Sequence, residues 1–158
     1  MRTEATRVIY EAALKNIDII FITGDLGHTF VEKYQENIPD QYINTGLAEQ
    51  NMVGIAAGLA LSGKKVFTFS IIPFALMRCF EQIRVDICYQ NLDVTVIGIG
   101  AGFAYSTSGC THYGTEDIAI MRALPNMKIY CPCHPLEARL LAEKVLRTGG
   151  PAYLRLGK

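Results

Sequence analysis

Apolar runs rich in β-branched residues alternate along the chain with segments whose apolar positions recur at three- and four-residue spacing. The runs at residues 19–23, 42–44, 65–69, 94–99, 128–131 and 152–155 are short and flanked by turn-forming residues, which predicts six strands. Helical patterning predicts helices at residues 4–15, 29–36, 47–61, 75–89, 116–123 and 136–147. Strand and helix in strict alternation imply parallel strands joined by right-handed crossovers whose helices cover both sheet faces. The predicted fold is therefore α/β, a three-layer α/β/α sandwich around an open, mainly parallel six-stranded sheet. No repeat, low-complexity tract or linker divides residues 1–158, so one domain is expected.

Composition narrows the function classes. Half of the residues are hydrophobic and 19% are charged, too apolar a balance for a disordered chain. Fifteen basic residues cancel fifteen acidic ones and no basic face is formed, so nucleic acid is excluded as an expected partner. Polar residues interrupt every apolar run short of the about 20 residues that a membrane helix needs, and residues 94–115 are broken by five glycines. No membrane association is expected. The start, Met1-Arg2-Thr3-Glu4-Ala5, leads into amphipathic helix without the pattern of a signal peptide, which gives a cytoplasmic expectation. The five cysteines are expected as free thiols, since a chain of this size needs no staples.

In an open parallel sheet, ligands bind at the carboxyl ends of the strands. The glycine-rich turn Gly98-Ile99-Gly100-Ala101-Gly102 follows a strand but has Phe103 where a dinucleotide fingerprint needs glycine, and loop residues follow it rather than a helix. It reads as a loop bordering another ligand. Cys110-Thr111-His112 and Cys131-Pro132-Cys133-His134 have one-residue gaps that suit a metal poorly, so no metal site is assigned, and the cysteines read as small apolar residues at a strand end. Glu49 admits two readings. With Gly46 as cap it stands at the third helical position, where a glutamate can bond back to the cap amide. The helix that follows is uncharged and built on Gly54, Ala56, Ala57, Gly58 and Ala60, which predicts burial, and a carboxyl group partly withdrawn from water there is suited to sharing a proton. Phe74, Met77 and Phe80 have core spacing, and Glu81 with Arg84 reads as a solvated ion pair.

Several segments occur together in one order: Gly24-Asp25-Leu26-Gly27; Gly46-Leu47-Ala48-Glu49-Gln50 with the small-residue helix; Phe80-Glu81-Gln82-Ile83-Arg84; Gly109-Cys110-Thr111-His112; Glu116-Asp117-Ile118-Ala119; Leu124-Pro125-Asn126-Met127; and Gly150-Pro151-Ala152-Tyr153-Leu154-Arg155-Leu156-Gly157. Over essentially the whole chain this set resembles the pyrimidine-binding domain of the transketolase family of thiamine diphosphate enzymes. It is most similar to split transketolases, in which this half begins its own polypeptide with a Met-Arg start like this one.

The resemblance implies the pyrimidine module of the thiamine diphosphate-binding fold and assigns roles residue by residue. Glu49 would share a proton with N1′ of the cofactor's aminopyrimidine, favouring the tautomer whose 4′ nitrogen takes the proton from the thiazolium ring; aspartate, one methylene shorter, would not reach. Phe74 would stack on the pyrimidine, with Ile71 and Met77 at two further positions around it that are aromatic in the family. Asp25 and Leu26 would lie beside the thiazolium. His112 would line the substrate channel and hydrogen-bond a sugar hydroxyl, so the catalytic pair implied is Glu49 and His112. Ser108 stands where the family has an aspartate that contacts a donor hydroxyl, and Gly100 where many members have a phosphate-contacting histidine. These departures imply a small sugar substrate outside the ordinary pentose-phosphate set.

The Gly-Asp-Gly and distant Asn that hold Mg²⁺ and diphosphate in the family do not occur in the chain. The resemblance therefore implies an obligate diphosphate-binding transketolase subunit that holds Mg²⁺ and most of the cofactor, in a homodimer or heterotetramer packed near the small-residue helix, with a C-terminal domain expected beyond the last strand. The implied activity is transfer of a two-carbon ketol unit between sugars. Two other readings stay open: a non-catalytic assembly or regulatory module of the same fold, and part of a 1-deoxyxylulose-phosphate synthase-like enzyme.

Overall fold

The apolar runs form the strands of one sheet because β-branched and aromatic side chains fit a pleated surface covered on both sides. In the computed structural model, which describes residues 1–157, the strands are β1 (Ile19–Thr23), β2 (Tyr42–Asn44), β3 (Lys65–Ile71), β4 (Val94–Ile99), β5 (Lys128–Tyr130) and β6 (Ala152–Leu156). They pair in the order β2-β1-β3-β4-β6-β5, and each neighbouring pair is parallel. The helices are α1 (Arg2–Ala13), α2 (Val31–Asn37), α3 (Glu49–Leu61), α4 (Phe80–Gln82), α5 (Asp117–Arg122) and α6 (Pro135–Arg147).

Right-handed crossovers decide which face each helix covers. The chain moves one way from β1 to β2 and back the other way from β2 to β3, so α2 and α3 fall on opposite faces. The same rule sends residues 73–88 and α5 to the face of α3, and α6 to the face of α2. The two cores agree. Met52, Val53 and Ala56 of α3 pack with Leu76, Ile83 and Met121 on one face. Ile9 of α1, Tyr34 of α2 and Ala138 of α6 pack with Phe21 and Phe67 on the other. The reversal also opens a crevice between the carboxyl ends of β1 and β3, the usual ligand position in an open sheet.

The structure departs from the sequence reading in two helices. The helix expected at residues 75–89 begins at Pro73 and is not uniform: the Arg78 amide donates to the Pro73 carbonyl at 3.1 Å and the Tyr89 amide to the Arg84 carbonyl at 3.1 Å, both five residues back. Such wide turns lodge an extra residue and swing the following side chains round, a local choice that a 3.6-residue period does not encode. The helix expected at residues 47–61 starts at Glu49, after exposed Leu47 and Ala48. Its predicted burial holds on one side only: Gly54 and Gly58 are exposed and Leu61 is 63% exposed, because the chain's own layers cover just the face bearing Met52, Val53, Ala56 and Ala57.

Candidate active site

Glu49 is the first residue of α3, directly preceded by Ala48 at the cap position. The capping role that sequence spacing offered is therefore not adopted. Instead the carboxylate turns into the crevice, where its side chain is 1% exposed, and accepts from Arg78 Nη1 at 2.7 Å on Oε2 and from Ser70 Oγ at 3.3 Å on Oε1. Ser70 lies within β3 and Gly24 ends the run after β1. A methyl group on Gly24 would lie 3.2 Å from Glu49 Cγ and 3.3 Å from Oε1, so the glycine leaves room for the carboxylate to lie across the strand end.

Phe74, in the wide turn after β3, faces this carboxylate's partner: the Arg78 guanidinium carbon lies 4.3 Å from the Phe74 ring centroid. The His112 ring meets Phe74 edge-on at 5.0 Å, and its Nδ1 lies 2.9 Å from Thr111 Oγ1. Buried Cys79 donates its thiol to the Phe74 carbonyl at 3.1 Å. Burial first, and the charge of Glu49 next, push the Cys79 thiol up to about 12. It is a neutral packing group and not a nucleophile.

His112 reaches this place through the loop after β4. Gly102 and Gly114 exchange backbone hydrogen bonds at 2.8 and 3.0 Å, pinching residues 102–114 into a closed lobe. Gly100, with φ +89°, lets the Tyr105 ring lie against its backbone. The lobe is anchored by Asp117, which is fully buried and accepts from Tyr153 Oη at 2.6 Å and Arg155 Nε at 2.7 Å, while Arg155 Nη2 donates to the Gly114 carbonyl at 3.0 Å. Short turns fill the loop where a dinucleotide site would open a long helix, as the sequence reading expects.

The crevice thus brings together Glu49, Phe74 and His112 among the sequence-predicted residues, and adds Gly24, Ser70 and Arg78. Asp25 sits at the neighbouring strand end with φ +54°, its amide donating to Asn44 Oδ1 at 3.0 Å and its Oδ1 accepting from Asn44 Nδ2 at 3.1 Å. Leu26 and Ile71 pack on the α1–α6 core, Met77 is half-buried and Ser108 is exposed. The cysteine reading needs correction: Cys110, Cys131 and Cys133 are exposed, not packed, because Cys110 lies in a turn of the loop after β4 and the chain leaves the sheet at residue 131. Cys133, His134 and Glu137 cluster at the start of α6, where the Glu137 amide donates to Nδ1 of the cap residue His134 at 3.3 Å and the Cys133 amide, one residue before the cap, donates to Glu137 Oε2 at 2.7 Å. Glu81 and Arg84 form the exposed ion pair expected, at 2.8 Å.

Sequence reasoning missed Arg78 because no local spacing pairs it with Glu49, 29 residues away. A signal existed only in its position after Phe74 in a segment otherwise apolar from Ile71 to Met77.

Comparison with known proteins identifies the family. The family model for the transketolase pyrimidine-binding domain matches residues 1–158. The chain is 37% identical over 158 residues to an apulose-4-phosphate transketolase subunit of Phocaeicola vulgatus, covering 99% of this chain and 51% of that protein. It is 34% identical over 157 residues to the 6-deoxy-6-sulfo-D-fructose transketolase subunit SqwH of a Clostridium species, covering 99% and 49%. It is 39% identical over 123 residues to the 1-deoxy-D-xylulose-5-phosphate synthase of Bordetella pertussis, covering 78% of this chain and 20% of that one. Among solved structures, a split gene transketolase described as an inactive beta4 tetramer superposes with a TM-score of 0.86 at 36% identity, over 99% of this chain and 50% of that chain. The chain spans about half the length of the split-transketolase relatives it matches. The parallel six-stranded architecture and a family model that matches residues 1–158 place the chain in the transketolase family, as its pyrimidine-binding domain.

Proposed function

We propose that the chain supplies the pyrimidine-binding half of a thiamine diphosphate-dependent transketolase-like enzyme that moves a two-carbon ketol unit between sugars in the cytoplasm. The observation that carries this reading is Glu49, a carboxylate 1% exposed at the β1–β3 crevice and joined to the Phe74 ring through the Arg78 guanidinium that touches both. The residues fit a flat nitrogen heterocycle, since a planar N–H donor already spans the distance from the Phe74 face to Glu49 Oε2. When bound, thiamine diphosphate supplies the electron sink for breaking and forming the ketol carbon–carbon bond.

This chain's residues do four things. Glu49 holds a shared proton at the ring nitrogen N1′, and its burial withholds water from that exchange. Phe74 orients the ring by stacking, with Ile71 and Met77 at its rim. His112, held by Thr111 and Phe74, presents its remaining ring nitrogen to a sugar hydroxyl, with Ser108 on the same lobe. Asp25, at the neighbouring strand end, borders the thiazolium, with Leu26 behind it against the α1–α6 core. A diphosphate-binding partner subunit holds Mg²⁺ and the diphosphate, and the exposed Gly54, Gly58 and Leu61 face of α3 supports assembly as a homodimer or heterotetramer.

Glu49→Ala tests the reading. Turnover of the reconstituted complex falls by at least about 10²–10⁴-fold, while folding changes little because Arg78, 45% exposed, passes into water when its partner is removed. Full activity of that variant would sink the proposal. The synthase-like relatives favour a second reading, pyruvate decarboxylation with carbon–carbon bond formation. The product formed by the complex separates the two.

A further inference from the structure

Both groups that the proposed site offers an aminopyrimidine are engaged by one side chain of the protein itself. Arg78 Nη1 donates to Glu49 Oε2 at 2.7 Å, and the guanidinium carbon stands 4.3 Å from the Phe74 centroid. A guanidinium is planar and delocalised and stacks on aromatic faces while donating in its plane to a carboxylate. An aminopyrimidine shares those attributes: a flat face for Phe74 and an in-plane nitrogen edge for Glu49. The two partners of the pair differ sharply in exposure, 45% for the Arg78 side chain and 1% for Glu49. Arg78 can swing into water, whereas Glu49 stays buried with only the longer Ser70 bond on Oε1, so that Oε2 needs another hydrogen-bonding partner once Arg78 has left. The backbone at Arg78 closes the wide turn from Pro73, so the segment carrying both Phe74 and Arg78 already departs from regular helix.

We propose that Arg78 is a stand-in for the cofactor's pyrimidine. In the cofactor-free protein it occupies the place between Phe74 and Glu49 and keeps the buried carboxylate paired; it leaves when the pyrimidine enters. The inference rests on Glu49 and Phe74 being the pyrimidine-binding residues. Its consequence is self-competition: the apparent affinity is the intrinsic affinity reduced by the fraction of molecules in which the place is open. A stand-in seated nine-tenths of the time weakens binding about tenfold.

The test uses the chain assembled with its diphosphate-binding partner, titrated calorimetrically with thiamine diphosphate as wild type, Arg78→Met, Arg78→Gln and Arg78→Lys. Arg78→Met and Arg78→Gln are expected to bind about three- to tenfold tighter, by the open-fraction relation, a gain that structural damage does not produce. Arg78→Lys, which keeps the charge without the plane, falls between them and wild type. The Arg78 Nε–Hε NMR signal in the full-length wild-type chain provides a second reading, and shifts to a solvent-exposed position on saturation with 4-amino-5-hydroxymethyl-2-methylpyrimidine. Equal or weaker cofactor binding by both neutral variants, or an Arg78 signal that ignores the pyrimidine, overturns the stand-in. A wild-type complex that binds no thiamine diphosphate overturns the pyrimidine-site reading itself, and the stand-in with it.

Discussion

Asp117→Ala is expected to lower stability and loosen the lobe that carries His112. Asp117 is 0% exposed and the Arg155 side chain 22% exposed, so most of the pair's environment is protein rather than water. The carboxylate serves two donors at once, Arg155 Nε at 2.7 Å and Tyr153 Oη at 2.6 Å. Burial first, and the neighbouring Asp117 charge next, push the Tyr153 phenol well above its ordinary range, so it remains a donor at any working pH. Removing Asp117 leaves a guanidinium whose remaining hydrogen bond is to the Gly114 carbonyl, together with an orphaned buried hydroxyl. Deleting one member of a buried ion pair costs about 3–5 kcal/mol. For a chain of this length that corresponds to a fall in Tm of about 6–20 °C. Urea unfolding at fixed m-value measures the loss, and Tyr153→Phe alone is expected to cost about 1.5–3 kcal/mol. Adding Arg155→Met to Asp117→Ala should recover part of the loss, since no unpaired charge is then buried. A cost below about 1 kcal/mol for Asp117→Ala, or strict additivity with Arg155→Met, would refute the anchoring argument.

Phe74→Ala is expected to raise the Kd for thiamine diphosphate about two- to tenfold, from a stacking contribution of about 0.5–1.5 kcal/mol, with circular dichroism unchanged; calorimetry decides it, and undiminished affinity removes Phe74 from the site. Gly100→Ala should destabilise the His112 lobe, because the added methyl would meet the Tyr105 ring at a position whose φ is +89°; faster proteolysis within residues 102–114 reports it, and wild-type resistance counts against it. Stability should also fall in alkali. Burial raises the Cys79 thiol to about 12 and the Cys88 thiol to about 11 from 9.0. Below pH 9 both thiols are protonated folded or unfolded; above it the unfolded chain ionises first and binds fewer protons, so stability declines until the folded thiols ionise too. Each contributes a slope of at most about 1.4 kcal/mol per pH unit in that window, and Cys79→Ala with Cys88→Ala should flatten the curve. An unchanged slope in the double variant would be the contrary result.

The alternation of six strands with helices and the parallel architecture were legible in the sequence, because side-chain periodicity and β-branching are properties of local segments. The resemblance named Glu49, Phe74 and His112 together with Asp25, Leu26, Ile71, Met77 and Ser108, and the fold brings the first three to one crevice. Where the Glu49 carboxylate points was decided by packing. Its spacing from Gly46 allowed a capping role, and it is the seating of α3 against β1 and β3 that begins the helix at Glu49 itself and turns its carboxylate toward Ser70 and Arg78. The wide turns after Pro73 were likewise illegible, since they arise from how residues 73–88 settle on the sheet and have no period of their own. Asp117 read as one letter of a motif; the strand order that sets β6 beside β4 gave it Tyr153 and Arg155 as partners. Contacts between residues some 30 positions apart depend on strand order and crossover handedness, and those are settled by the whole sheet rather than by any segment of the sequence.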